Sequence, residues 1–221
     1  MPQLLLKKNL YGITNIALDN PRVTHYSRAI TDIIKAHHSQ PLIADIYIAM
    51  LHIIVELDWE GACHPSSSIL YILYKELGFN PTLKMGEVQI DHRYFDHSWV
   101  EIDGSIIDAS LVSPINKSLG LNPIFLDINL DTLEHHQLTY GAVSSLGLSE
   151  FTEIIYHRPF HKYMNPFPWG LGKWAYVEAI SNYLELGINV HSLLSKYKYT
   201  KRTMVRNQKK RKANEKNHLL R

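Results

Sequence analysis

Cysteine is almost missing from this chain: one residue, Cys63, in 221. A single thiol excludes an internal disulfide and any cysteine-built metal cluster, and leaves one sulfur available as a nucleophile. Long apolar runs are missing too. Leu4-Leu5-Leu6, between Pro2 and Lys7-Lys8, is far too short for the core of a signal peptide, and no segment has the length of a membrane span. The expected compartment is therefore the cytoplasm, with no membrane partner. Internal repeats are also absent, and 45% hydrophobic content in 221 residues suits one sizeable core.

Excess charge is absent only on average. Residues 196–221 carry eleven Lys or Arg and one acid, Glu215, for +10, whereas residues 1–195 carry 12 basic and 20 acidic side chains, for −8. The expected organisation is one domain over 1–195 and a basic tail over 196–221. Such a tail can make weak, non-specific, salt-sensitive contact with nucleic acid, and it has little apolar surface to bury, so the domain is expected to fold without residues beyond about Tyr199.

Around the cysteine the sequence reads Gly61-Ala62-Cys63-His64-Pro65-Ser66-Ser67-Ser68, followed by Ile69, Leu70, Leu73 and Leu77 at three- and four-residue steps and then Gly78. The serines and Pro65 suit a first helical turn, the spacing puts the aliphatic residues on one face, and Gly78 supplies the left-handed stop. Cys63 is thus expected at or just before a helix N-terminus, where unpaired N–H groups favour a thiolate and can receive an oxyanion.

His97 and Asp108 follow Cys63 by 34 and 45 residues, on either side of Asp103-Gly104. Alternation on both sides of that dipeptide predicts a hairpin with Ile102 facing Ser105, Glu101 facing Ile106 and Val100 facing Ile107. His97, Trp99 and Asp108 then share one sheet face, with His97 and Asp108 as diagonal neighbours. A cysteine, a histidine and a carboxylate to orient the imidazole are the parts of a nucleophilic acyl-transfer triad.

These residues also resemble a known family. From about Trp59 to Ser110, His97-Ser98-Trp99-Val100-Glu101 resembles the His-x-Trp-Val-Glu strand of the transglutaminase-like branch of the papain-like cysteine enzymes. Cys63 and its small-residue and aliphatic helix resemble the family's nucleophile helix, with His64 standing where an aromatic is usual. The compact spacing is similar to that of small bacterial members, including leader peptidases of lasso-peptide pathways. The resemblance implies an α+β papain-like fold, with N-terminal helices packed on an antiparallel sheet, and a catalytic set of Cys63, His97 and Asp108. It implies a cysteine peptidase or amidase acting on a peptide or protein amide, with no cofactor. The alternatives are a transglutaminase or other acyltransferase, and an inactive scaffold that binds nucleic acid through its tail. The Cys63 N–H is one candidate oxyanion donor, and Trp59 or Gln40 the second.

Elsewhere, Asn20-Pro21 opens a helix to about His38, Pro41 opens a strongly apolar one through Leu57, and residues 82–90 read as a strand. A further strand is expected over 124–128, and helices over 151–156 and 173–186. Thirteen histidines raise the question of a metal. His157 and His161 have the spacing of a helical zinc pair that His135-His136 and His92 could extend, but Pro159 interrupts the helix and no glutamate follows His157. His92 repeats the Asp-His dipeptide of His97 without a hairpin context, so His97 is preferred.

Overall fold

The computed structural model describes residues 20–37, 40–165 and 171–207. The Leu4-Leu5-Leu6 run and tail residues 208–221 lie outside them.

Three helices lead. In α1 (Pro21–His37) the Asn20 side chain accepts the Arg22 N–H at 3.0 Å and Pro21 takes the first helical position, where its missing N–H has no intrahelical partner. Helix α2 (Pro41–Glu56) starts on a proline for the same reason and is buried on nearly every side, from Ile43 through Ile46, Met50 and Ile54. Helix α3 (Cys63–Glu76) ends with Gly78 at φ +83°, Gly78 N–H bonding to Lys75 O and Phe79 N–H to Tyr74 O, a closure that satisfies the last carbonyls.

An antiparallel meander follows, β1 (Pro81–Ile90), β2 (Arg93–Ile102) and β3 (Ser105–Asp108). Asp103 and Gly104 turn between β2 and β3 at φ +52° and +88°, and the register is Val100 to Ile107, Glu101 to Ile106 and Ile102 to Ser105. Strands β4 (Ile124–Phe125), β5 (Ile128–Asn129), β6 (Thr139–Ala142) and β7 (Thr203–Val205) are short. The sheet runs β5-β4-β3-β2-β1-β6, with β7 also on β1. Among the described residues four α-helices follow β6: α4 (Glu150–His157), α5 (Phe160–Met164), α6 (Trp174–Tyr183) and α7 (Val190–Lys196). The architecture is α+β, with the N-terminal helices covering one face of the sheet. The main core joins Ile46, Met50, Ile69 and Leu73 to Val100 and Ile107; a smaller one on the opposite face holds Val88, Trp99, Leu111, Ile124 and Tyr140.

Three expectations need correction. Residues 124–128 are not one strand: Leu126 and Asp127 both adopt positive φ, +50° and +67°, making a tight turn that pairs β4 with β5. His92 does sit in a hairpin, because Asp91 at φ +53° and His92 form the β1–β2 tip, with Ile90 opposite Arg93; that tip leaves His92 exposed. The division at 195/196 does not match the packing. Lys196 closes α7, Tyr197 is buried, and β7 (Thr203–Val205) pairs in parallel with Lys84–Gly86 of β1. The tail's charge hid three residues of strand propensity, Thr203-Met204-Val205, between Arg202 and Arg206. Several of the tail's cations also serve the body: Lys196 pairs with Glu76 at 2.7 Å, Arg206 pairs with Glu153 at 3.2 Å, and Arg202 is buried.

Candidate active site

Cys63 is the first residue of α3. The three serines behind it lie in a buried stretch and are satisfied by bonding back along the helix: Ser67 Oγ donates to Cys63 O at 2.6 Å and Ser68 Oγ to His64 O at 2.8 Å. Small hydroxyl side chains let the helix start pack tightly without leaving polar groups unpaired. The preceding Gly61 has φ +66°, and a Cβ there would meet the Ile115 side chain at 2.6 Å, a left-handed backbone that suits glycine.

The hairpin delivers the other two residues. His97 Nε2 lies 2.5 Å from Asp108 Oδ2, and both side chains are almost fully buried. Cys63 is partly exposed and lies near enough to His97 to act on its imidazole together with Asp108. Burial alone pushes the His97 imidazole down, but the charge and hydrogen bond of Asp108, joined by Cys63, raise it to about 10.

Asp108 is itself held on every side. Tyr140 Oη donates to Oδ2 at 2.8 Å, while Ser110 donates to Oδ1 from its hydroxyl at 2.8 Å and its N–H at 3.2 Å. Tyr47 Oη, from α2, donates to the Asp108 backbone carbonyl at 3.1 Å. This many donors fix the position of a buried carboxylate. Ser110 carried a local signal, an Asp followed two residues later by a hydroxyl. Tyr140 and Tyr47 carried none, being 32 and 61 residues away from Asp108.

His64 is the second histidine of the site and behaves in the opposite way. Its Nδ1 lies 2.6 Å from Ser98 Oγ. Burial first, then the charges of His97 and Arg202, lower it to about 3 against the weaker pull of Asp96, so it is neutral. Arg202 is buried, donates to Ile155 O at 3.2 Å and lies 4.5 Å from the centre of the Tyr163 ring. Tyr163 in turn lies close enough to feel Cys63, although burial is what chiefly raises its hydroxyl. None of this wall, Ser98, Tyr163 or Arg202, was singled out from sequence.

The two candidates for a second oxyanion donor fare differently. The Trp59 N–H is taken by Ile54 O at 2.9 Å and its ring packs on Tyr176 at 5.0 Å between centres, so its backbone cannot serve. Gln40 is the residue preceding α2, exposed, with its carbonyl accepting the Ile43 N–H. Of the histidines weighed as metal ligands, His157 pairs with Glu153 at 3.5 Å and His161 Nδ1 lies 3.3 Å from Lys198 O, so their four-residue spacing does not bring them to a shared ion.

No family model, no curated protein and no solved structure matches this chain.

Proposed function

We propose that the protein is a cysteine-dependent acyl-transfer enzyme of the papain-like, transglutaminase-like kind, hydrolysing an amide bond in a peptide or protein. The observation that carries the reading is a buried His97 bonded to the Asp108 carboxylate and close to a thiol on the first residue of a helix. The resemblance of α3 and of residues 97–101 to that family supports the same chemistry.

In the proposed cycle Cys63 sulfur bonds to the substrate carbonyl carbon, and the carbonyl electrons move to oxygen. The resulting oxyanion is received by N–H groups at the start of α3, among them that of Cys63. Collapse of this intermediate breaks the C–N bond, and the proton on His97 goes to the leaving amine. A water, deprotonated by His97, then attacks the thioester, and the acid product leaves as the thiol is restored. Asp108 keeps the imidazole oriented and stabilises its cation throughout. Replacing that water by a substrate amine gives a transferase with the same residues, and only access to the thioester separates the two outcomes.

The test is mass-spectrometric analysis of a peptide mixture incubated with wild type and with Cys63→Ser, with and without added primary amine. Fragments produced by wild type alone support hydrolysis, and amine-capped products support transfer. Equal fragmentation by Cys63→Ser would refute the reading.

A further inference from the structure

A second cluster of ligand-type side chains lies outside the Cys63 site, in the loops between β4 and β6. Asp127, His135 and His136 each place a ligand-type atom within 4.8 Å of the others. We propose that these three residues form a binding site for a divalent first-row transition ion of the zinc type.

The arrangement is built rather than incidental. Asp127 is the second residue of the tight turn between β4 and β5, and its Oδ1 accepts the Ile106 N–H at 2.8 Å, which orients the carboxylate. Its carbonyl accepts the His136 N–H at 3.0 Å, and Ile128 bridges to His135 across the loop. Consecutive residues of an extended strand point to opposite sides. Here the His135 and His136 rings lie side by side instead, with centres 4.8 Å apart and planes 31° apart.

The ring nitrogens are also placed as an ion requires. His135 Nδ1 lies 3.1 Å from His136 O; only an N–H can pair with a carbonyl, so Nε2 is the nitrogen left to face an ion. Metal-bound histidines are oriented in the same way, the second ring nitrogen donating to a carbonyl or carboxylate. The His136 side chain is 8% exposed, and its Nε2 lies 3.9 Å from Asp127 Oδ1, beyond hydrogen-bond reach. Its Nδ1 is buried with no hydrogen-bond partner, the Leu138 backbone lying near without completing one.

Without an ion, this is a buried imidazole and a carboxylate that stop just short of bonding each other. Ligands at about 2.0–2.2 Å from a shared zinc-type ion lie somewhat closer together than these atoms do, and the exposed His135 ring is free to close the difference. Two imidazoles and one carboxylate suit zinc, cobalt, nickel or ferrous ions over calcium or magnesium. The site adjoins the proposed catalytic carboxylate: the His136 ring packs edge-on against Tyr140 at 5.4 Å between centres, and Tyr140 donates to Asp108.

The experiment is a Co2+ titration of untagged full-length protein, wild type and Cys63→Ala, followed by visible absorbance and by thermal melting, with Zn2+ as competitor. The expected result is one Co2+ per chain in both proteins, displaced by Zn2+, with a raised melting temperature and no thiolate-to-metal band. Asp127→Asn, His136→Gln and His135→Gln should each weaken binding by about tenfold to a hundredfold. Because His135 is exposed, its variant keeps the fold and tests the ligand role even if the other two do not. No stoichiometric binding, binding that survives His135→Gln in full, or binding that disappears in Cys63→Ala would overturn the proposal.

Discussion

Two buried histidines, one at the start of α3 and one on β2, share a site and are driven in opposite directions. His64 meets a neutral hydroxyl, Ser98, and falls to about 3; His97 meets the Asp108 carboxylate and rises to about 10. Both rings are almost completely removed from water, so burial does not account for the difference between them. The partner does. Desolvation penalises the cation in both places, and only a carboxylate at hydrogen-bond distance overcomes it. The hairpin side of the site therefore favours a cation and the helix side a neutral ring, which in the proposed cycle makes His97 the proton carrier and His64 a packing and hydrogen-bonding group.

The largest effect should come from removing the difference. Asp108→Asn leaves the shape intact but takes away the charge that lifts His97, and turnover by the proposed enzyme should fall about 10³- to 10⁴-fold. A steady-state assay on any peptide that wild type cleaves, checked against an unchanged fold by circular dichroism, measures it. A loss under tenfold would mean that Asp108 does not govern His97.

The helix side can be attacked through β7. Truncation after Tyr199 removes Arg202, one of the charges that lower His64, and strips β7 from the edge of β1. The expected cost is roughly 2–4 kcal/mol, from a lost strand and the packing and hydrogen bonds of a buried guanidinium. Gly86→Ala tests the same contact in the full chain, because its Cβ would meet Val205 O at 2.6 Å; overpacking of this kind costs roughly 1–3 kcal/mol. Thermal melts in which both variants match wild type would show that β7 contributes nothing to the body.

Much of this site was legible in sequence because it is local. Cys63 before an aliphatic helix, the Asp103-Gly104 turn and the alternation around it place three chemistry-bearing residues within 46 positions, and the observed register is the one those residues specify. The starts of α1 and α2 were equally legible, since asparagine and proline act on their immediate neighbours. What could not be read depends on contacts without a local pattern. Tyr140 reaches Asp108 from β6, a four-residue strand on the far edge of the sheet. Arg202 and β7 lay inside a run of positive charge, where composition outweighed three strand-forming residues. Asp127 passed unnoticed because its turn, Leu126-Asp127, has none of the glycine that usually marks positive φ.

A smaller change, Tyr140→Phe, deletes one of the donors to Asp108 and leaves the ring in the core. It should cost about 1.5–3 kcal/mol of stability, as expected for a hydrogen bond to a charged group, and measurably less activity than Asp108→Asn loses. Chemical denaturation gives the first and the peptide assay the second; an unchanged midpoint would mean that Tyr140 does not support the carboxylate.

The smallest and sharpest separation of the two histidines is by pH. His97 binds its proton more tightly folded than unfolded, so its contribution is complete below about 6.5, the ordinary histidine value, and is lost as pH rises toward about 10. His64 binds its proton less tightly when folded, so its contribution is complete above about 6.5 and is lost as pH falls toward about 3. Melting temperatures across pH should show a flatter alkaline limb for His97→Gln and a flatter acid limb for His64→Gln. The reverse assignment would contradict the electrostatic reading of both rings.

The central claim is that His97 activates Cys63, and the rate of alkylation of the folded protein by iodoacetamide at neutral pH measures it most directly. With a single cysteine in the chain, intact mass reports one site without ambiguity. Wild type should react much faster than His97→Ala, with Asp108→Asn between them and all three equal once unfolded in denaturant. Equal rates for folded wild type and His97→Ala would show that Cys63 is an ordinary thiol and that the site does not perform nucleophilic catalysis.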